Sequence, residues 1–85
     1  MKKNYASLLN QITELYIKAL AQMYYWDTRC DGEKDGDNAK VYCDIRNKYA
    51  HEASAYFNIL NEEVSQEDIE DMHRTAKQTA NLPVD

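Results

Sequence analysis

Residues 5–30 read YASLLNQITELYIKALAQMYYWDTRC, and their spacing decides the fold. Tyr5, Leu8, Leu9, Ile12, Leu15, Tyr16, Ala19, Met23, Trp26 and Cys30 recur every three or four positions, the repeat of one helical face rather than the alternation of a strand. No glycine or proline interrupts the run, so nothing in it breaks the backbone hydrogen bonding of a helix. Ile17, Leu20 and Tyr24 form a second, narrower stripe beside the first. A helix apolar over two adjoining sectors touches two neighbours. These three residues are therefore expected to meet a third helix and to support self-association with a second copy.

Moving outward, both glycines fall in DGEKDGD, residues 31–37, and the single proline, Pro83, lies beyond every periodic segment. Residues 38–63 then resume the helical repeat with Tyr42, Ile45, Tyr49, Ala53, Tyr56, Phe57 and Leu60. Antiparallel packing aligns the two stripes in one register. With Ile12 opposite Leu60, Tyr16 meets Tyr56, Ala19 meets Ala53, Met23 meets Tyr49, Trp26 meets Ile45, and Cys30 arrives beside Tyr42 and Cys43. A third start follows at Ser65, whose side chain can cap exposed amides, with Glu67, Asp68, Glu70 and Asp71 at the positive end of a helix. Ile69, Met72, Ala76 and Ala80 give this segment a thin apolar stripe. The expected architecture is all-α. One domain, residues 1–85, forms a long antiparallel helical hairpin (helices at about 5–30 and 38–63, acidic loop 31–37) plus a shorter third helix at about 66–82, a three-helix bundle.

Lengths then locate a surface. At 1.5 Å per residue each long segment extends about 39 Å and the third about 24 Å, so the third cannot cover the whole hairpin. Met23, Trp26, Val41, Tyr42 and Ile45 are left near the bend. Tyr24 and Tyr25 adjoin them, Arg29 and Arg46 stand close by, and Asp31, Glu33, Asp35 and Asp37 form a rim. Aromatic residues and arginine are the types enriched where protein partners bind tightly. Arg46 falls within the apolar stripe of its helix, where an unpaired charge is costly, so Asp27 is expected to cross the hairpin and meet it.

Composition narrows the partner. The 85-residue chain carries a formal charge of −5, with residues 1–26 positive and residues 61–85 strongly negative. Direct nucleic-acid binding is disfavoured, because it is driven by clustered Lys and Arg. A basic protein surface suits the acidic rim better. The polar residues Asn10, Gln11, Thr13 and Glu14 break any leader-like apolar run, and no stretch approaches a membrane span. A cytoplasmic setting is expected, and with it two reduced, packed thiols at Cys30 and Cys43 rather than a disulfide or a shared metal.

No catalytic signature, cofactor motif or complete metal set emerges. Asp31, Glu33, Asp35, Gly36 and Asp37 echo the first half of a calcium loop, but Tyr42 stands where the bidentate glutamate would close it, so an acidic solvated turn is expected. His51 and His73 lack a neighbouring nucleophile or a second histidine at metal spacing and read as partly exposed helical residues. The chain is expected not to be an enzyme and to hold no cofactor.

In its shortness, acidity and helical content the chain resembles, in style, phage-encoded inhibitors of host defence such as anti-CRISPR proteins, and also bacteriocin immunity proteins. That resemblance implies occlusion of a basic, nucleic-acid-binding groove on a partner. Two other readings stay open: a structural homo-oligomer, and an oligomeric binder of a small phosphorylated ligand stacked on Tyr or Trp with Arg46, Arg29 or Lys48 holding phosphate. A homodimer is expected in all three.

Overall fold

The computed structural model describes residues 2–81, with side chains from residue 5 onward. Helix α1 spans Lys2–Gly32, α2 spans Gly36–Glu63 and α3 spans Gln66–Thr79. Among the described residues there is no strand, so the chain is all-α with three helices.

The expected seven-residue acidic loop is far shorter, because the helices claim both its flanks and leave only Glu33–Asp35 between them. The acids themselves cause this. Asp35 is the N-cap of α2, its side chain accepting from the backbone N–H groups of Asp37 and Asn38 at 2.9 and 3.3 Å. Glu33 in turn accepts from the Asp35 N–H at 3.0 Å. A twelve-residue cation loop does not fit a turn this tight.

Ser65 caps α3 as its position predicts, its hydroxyl accepting from the Asp68 N–H at 3.1 Å. The helix stops at Thr79, short of the expected Leu82, which lies outside the described residues. Asn81 adopts a left-handed backbone, φ 61°, a conformation asparagine tolerates and one that ends helices.

Helix α1 is the shared element: it packs on α2 and on α3, whereas α2 and α3 make little contact with each other. Its buried residues are Tyr16, Ala19, Leu20 and Ala21, met by Ala53 and Leu60 of α2 and by Ile69, Met72 and Ala76 of α3. Small alanines at these crossings let the backbones approach closely. Three cross-pairs set the direction of packing. Cys30 meets Cys43, Asp27 meets Arg46 and Tyr16 meets Phe57, so positions rise along α1 while they fall along α2.

Two expectations change. Leu8 and Leu15, assigned to the main packing stripe of α1, are exposed. With α3 lying on the Leu20 and Tyr24 flank, the buried sector of α1 is turned toward Tyr16 and Leu20, which leaves Leu8 and Leu15 outside it. Conversely, the stripe assigned to self-association is consumed within the chain. Leu20 is 3% exposed, Ile17 packs against the core, and Tyr24 bonds to α3. The result is an elongated slab, 51 × 24 × 16 Å along its principal axes.

Candidate interaction site at the open end of the helix pair

Because α3 stops well before the α1–α2 turn, an aromatic cluster remains at that end. Trp26 lies 5.6 Å from Tyr42 across the two helices and 5.2 Å edge-on from Tyr25, between ring centroids. Both separations are favourable for offset or edge contacts. The Arg29 guanidinium sits over Tyr25 at 4.9 Å and over Trp26 at 5.9 Å, where ring quadrupoles attract a cation. The Trp26 indole N–H donates to Gln22 at 3.3 Å. A depression of about 260 Å³ beside the cluster is lined by Thr28, Arg29, Gly32, Glu33 and Tyr42.

The structure thus brings Tyr25, Trp26, Val41, Tyr42 and Ile45 to one end, with Tyr25 and Val41 exposed and the others half-buried. Asp31, Asp35 and Asp37 are exposed beside them, while Glu33 is half-buried and bonded into the turn. Tyr24 is not part of the group; it faces α3.

Arg46 is satisfied within the chain. Its guanidinium meets Asp27 at 2.5 Å, and its Nε donates to Asn47 at 2.8 Å. The expected cross-helix pair is present, so this arginine is not free to hold phosphate. Lys48, the other proposed phosphate ligand of α2, lies 5.5 Å over its neighbour Tyr49.

Cys30 and Cys43 form a disulfide, with Cα atoms 5.0 Å apart, where packed thiols were expected. The register carries both to the same level of α1 and α2, half-buried and facing one another. A bond of this kind persists in oxidising surroundings. It clamps the helix ends directly beneath the aromatic cluster.

A second constellation escaped sequence reasoning. His73 is half-buried, with Nε2 3.0 Å from the Tyr16 hydroxyl and Nδ1 2.6 Å from the Tyr24 hydroxyl, and both rings meet it nearly edge-on. A neutral imidazole has one donor and one acceptor nitrogen, so one tyrosine accepts from it and the other donates to it. Burial, and then nearby Lys77, lowers the His73 pKa below its ordinary value. Burial also raises both tyrosine pKa values, assisted at Tyr16 by Tyr24 and at Tyr24 by Asp27. The signal was available in the sequence. His73 stands four after Ile69 and three before Ala76, squarely on the apolar stripe of α3. Beside it runs a groove of about 270 Å³ between α2 and α3, lined by Tyr16, Leu20, Met23, Ala50, Ala53, Ser54, Phe57 and His73.

Fold and site together define a small all-α chain with an aromatic, arginine-bearing end. No family model, no curated protein and no solved structure matches it. No described helix is long and apolar enough to cross a membrane.

Proposed function

We propose that this chain is a three-helix bundle, a long antiparallel helical hairpin with a shorter third helix on one side. In this reading it serves as a small acidic protein-binding module, an inhibitor or adaptor that covers a basic, nucleic-acid-binding surface of a partner protein, in the style of phage anti-defence proteins. The observation that carries the reading is the Tyr25–Trp26–Tyr42 cluster with Arg29 stacked on it, left uncovered by α3 and flanked by exposed Asp31, Asp35 and Asp37. Rigid aromatic side chains lose little entropy on binding, and the acidic rim steers a basic partner into contact. The rising and falling cross-pairs of α1 and α2 support the hairpin.

The phosphorylated-ligand reading is weakened, because Arg46 is spent on Asp27. The cytoplasmic expectation enters here only as a setting. In reducing surroundings Cys30 and Cys43 would be held by packing alone, and in oxidising ones by their bond.

The test is affinity capture with wild type, Tyr25→Asp and Trp26→Ala as parallel baits. One partner retained in stoichiometric amount by wild type, lost from both variants and displaced by salt is the expected result. Equal capture by all three baits, or no stoichiometric partner, would remove the reading.

A further inference from the structure

The α1–α2 pair has two sides, and only one is occupied. Tyr24 bonds to His73, and Phe57 lines the groove with His73, so both residues mark the α3 side. Leu15 lies nine residues before Tyr24, two and a half helical turns, and therefore points to the opposite flank of α1. Ile59 lies two residues after Phe57, about 200° around α2, and points the same opposite way. Leu8, a heptad before Leu15, and Val41, five turns before Ile59, extend those two lines. All four are bare: Leu8, Leu15, Val41 and Ile59 are 52, 43, 53 and 49% exposed. One side of the slab thus carries large aliphatic side chains along its length with nothing over them.

From this side we infer a self-association surface: a second copy of the chain packs against it about a twofold axis parallel to the helices, laying α1 of each copy over α2 of the other. Charge complementarity selects this arrangement. The α1 flank carries Lys18 beside Leu15, the α2 flank carries Glu52 a heptad before Ile59, and both charged residues are exposed. The level set by Tyr16 with Phe57 and Asp27 with Arg46 places Leu15 of one copy beside Ile59 of the other, with Lys18 in reach of Glu52. Stacking α1 on α1 instead would oppose Lys18 to its own copy. The need is also physical, since a chain of 85 residues buries only a thin core, and four of the nine buried hydrophobic residues among those described are alanine. A twofold contact of this sort pairs each flank with its complement twice. The inference does not depend on the partner proposed above.

The test measures molar mass against concentration by light scattering and analytical ultracentrifugation. Wild type should approach twice the 9.9 kDa of the chain. Leu15→Glu and Ile59→Lys should each weaken the dimer by about tenfold or more, because each exposes a leucine- or isoleucine-sized contact to water and inserts a charge. Since both residues are already exposed in the single chain, unchanged helicity by circular dichroism will show that the variants fold. Lys18→Glu and Glu52→Lys should each weaken association, and the double variant should restore it. A wild type monomeric at every concentration overturns the inference and leaves the face to a partner of another sequence. A Leu15→Glu variant that dimerises as tightly as wild type, or a double variant without restoration, overturns it as well.

Discussion

Single residues of this chain are set by what their polar atoms can find. His73 is the sharpest case, a half-buried imidazole whose two nitrogens are each taken by a tyrosine hydroxyl. Burial and Lys77 hold its pKa below the ordinary value of 6.5. The unfolded chain therefore binds a proton near pH 6.5 that the folded chain refuses, and stability is lost as pH falls through the unfolded value toward the lower folded one. Other elements facing it do not reverse the sign, since α1 offers phenols and α2 offers the uncharged Ala50, Ser54 and Phe57. Thermal midpoints measured between about pH 7.5 and 5.5 should fall for wild type and stay nearly flat for His73→Gln. A slope that survives the substitution would place its origin elsewhere. At the alkaline end the same site works in reverse. Tyr16 and Tyr24, with pKa values raised by burial, resist ionisation, so stability should also decline above about pH 10, where unfolded phenols lose their protons. Asp27 and Arg46 are simpler. Both keep partial access to water, so Asp27→Asn should cost no more than about 1 kcal/mol in urea unfolding.

Among the elements, the two long helices depend on how their ends are tied. The Cys30–Cys43 bond closes a separation of 13 residues, and constraining a loop of that size in the unfolded chain contributes about 3 kcal/mol. Reduction, or replacement of both residues by serine, should lower urea stability by about 2–3 kcal/mol while leaving helicity nearly intact. An unchanged midpoint on adding reductant would show that packing alone holds this end. In the middle of the pair, Leu60 is wholly buried, and Leu60→Ala should cost about 2–5 kcal/mol. Much of this organisation was legible before any coordinates. Three- and four-residue spacing announces helices whatever they pack on, and a charge in an apolar stripe demands a partner, which is why Asp27 could be paired with Arg46. The acidic turn was harder to read because aspartate serves equally as rim, ligand and cap, and only geometry shows Asp35 holding the amides of Asp37 and Asn38. His73 was missed because a histidine on a stripe was weighed as a surface residue, although its position matched Ile69 and Ala76. The position of α3 was also beyond the sequence. Periodicity ranks apolar faces without saying which neighbour takes which, so Leu8 and Leu15 were placed inside while α3 in fact drew the core toward Leu20 and Tyr24.

At the scale of the whole molecule, α3 decides whether the slab has a core at all. It supplies Ile69, Met72 and Ala76, three of the nine buried hydrophobic residues described, and it covers Tyr16 and Leu20, which α2 alone leaves open along the groove. A pair of helices joined by a three-residue turn buries one seam between them, and below about 70–80 residues one such seam seldom yields more than a few kcal/mol. Ending the chain after Val64 would remove the third helix at its cap and expose those side chains, together with the two tyrosine hydroxyls that His73 satisfies. The disulfide would survive this change and so would the open aromatic end, because both lie beyond the reach of α3. Truncation therefore separates the site from the stability that holds it in shape. The 1–64 chain should keep helical circular dichroism but lose its cooperative thermal transition and bind a hydrophobic dye, the signs of secondary structure without fixed packing. Retention of a sharp transition would mean that the α1–α2 pair, bridged at one end, is a folding unit by itself, with α3 only an attachment to it.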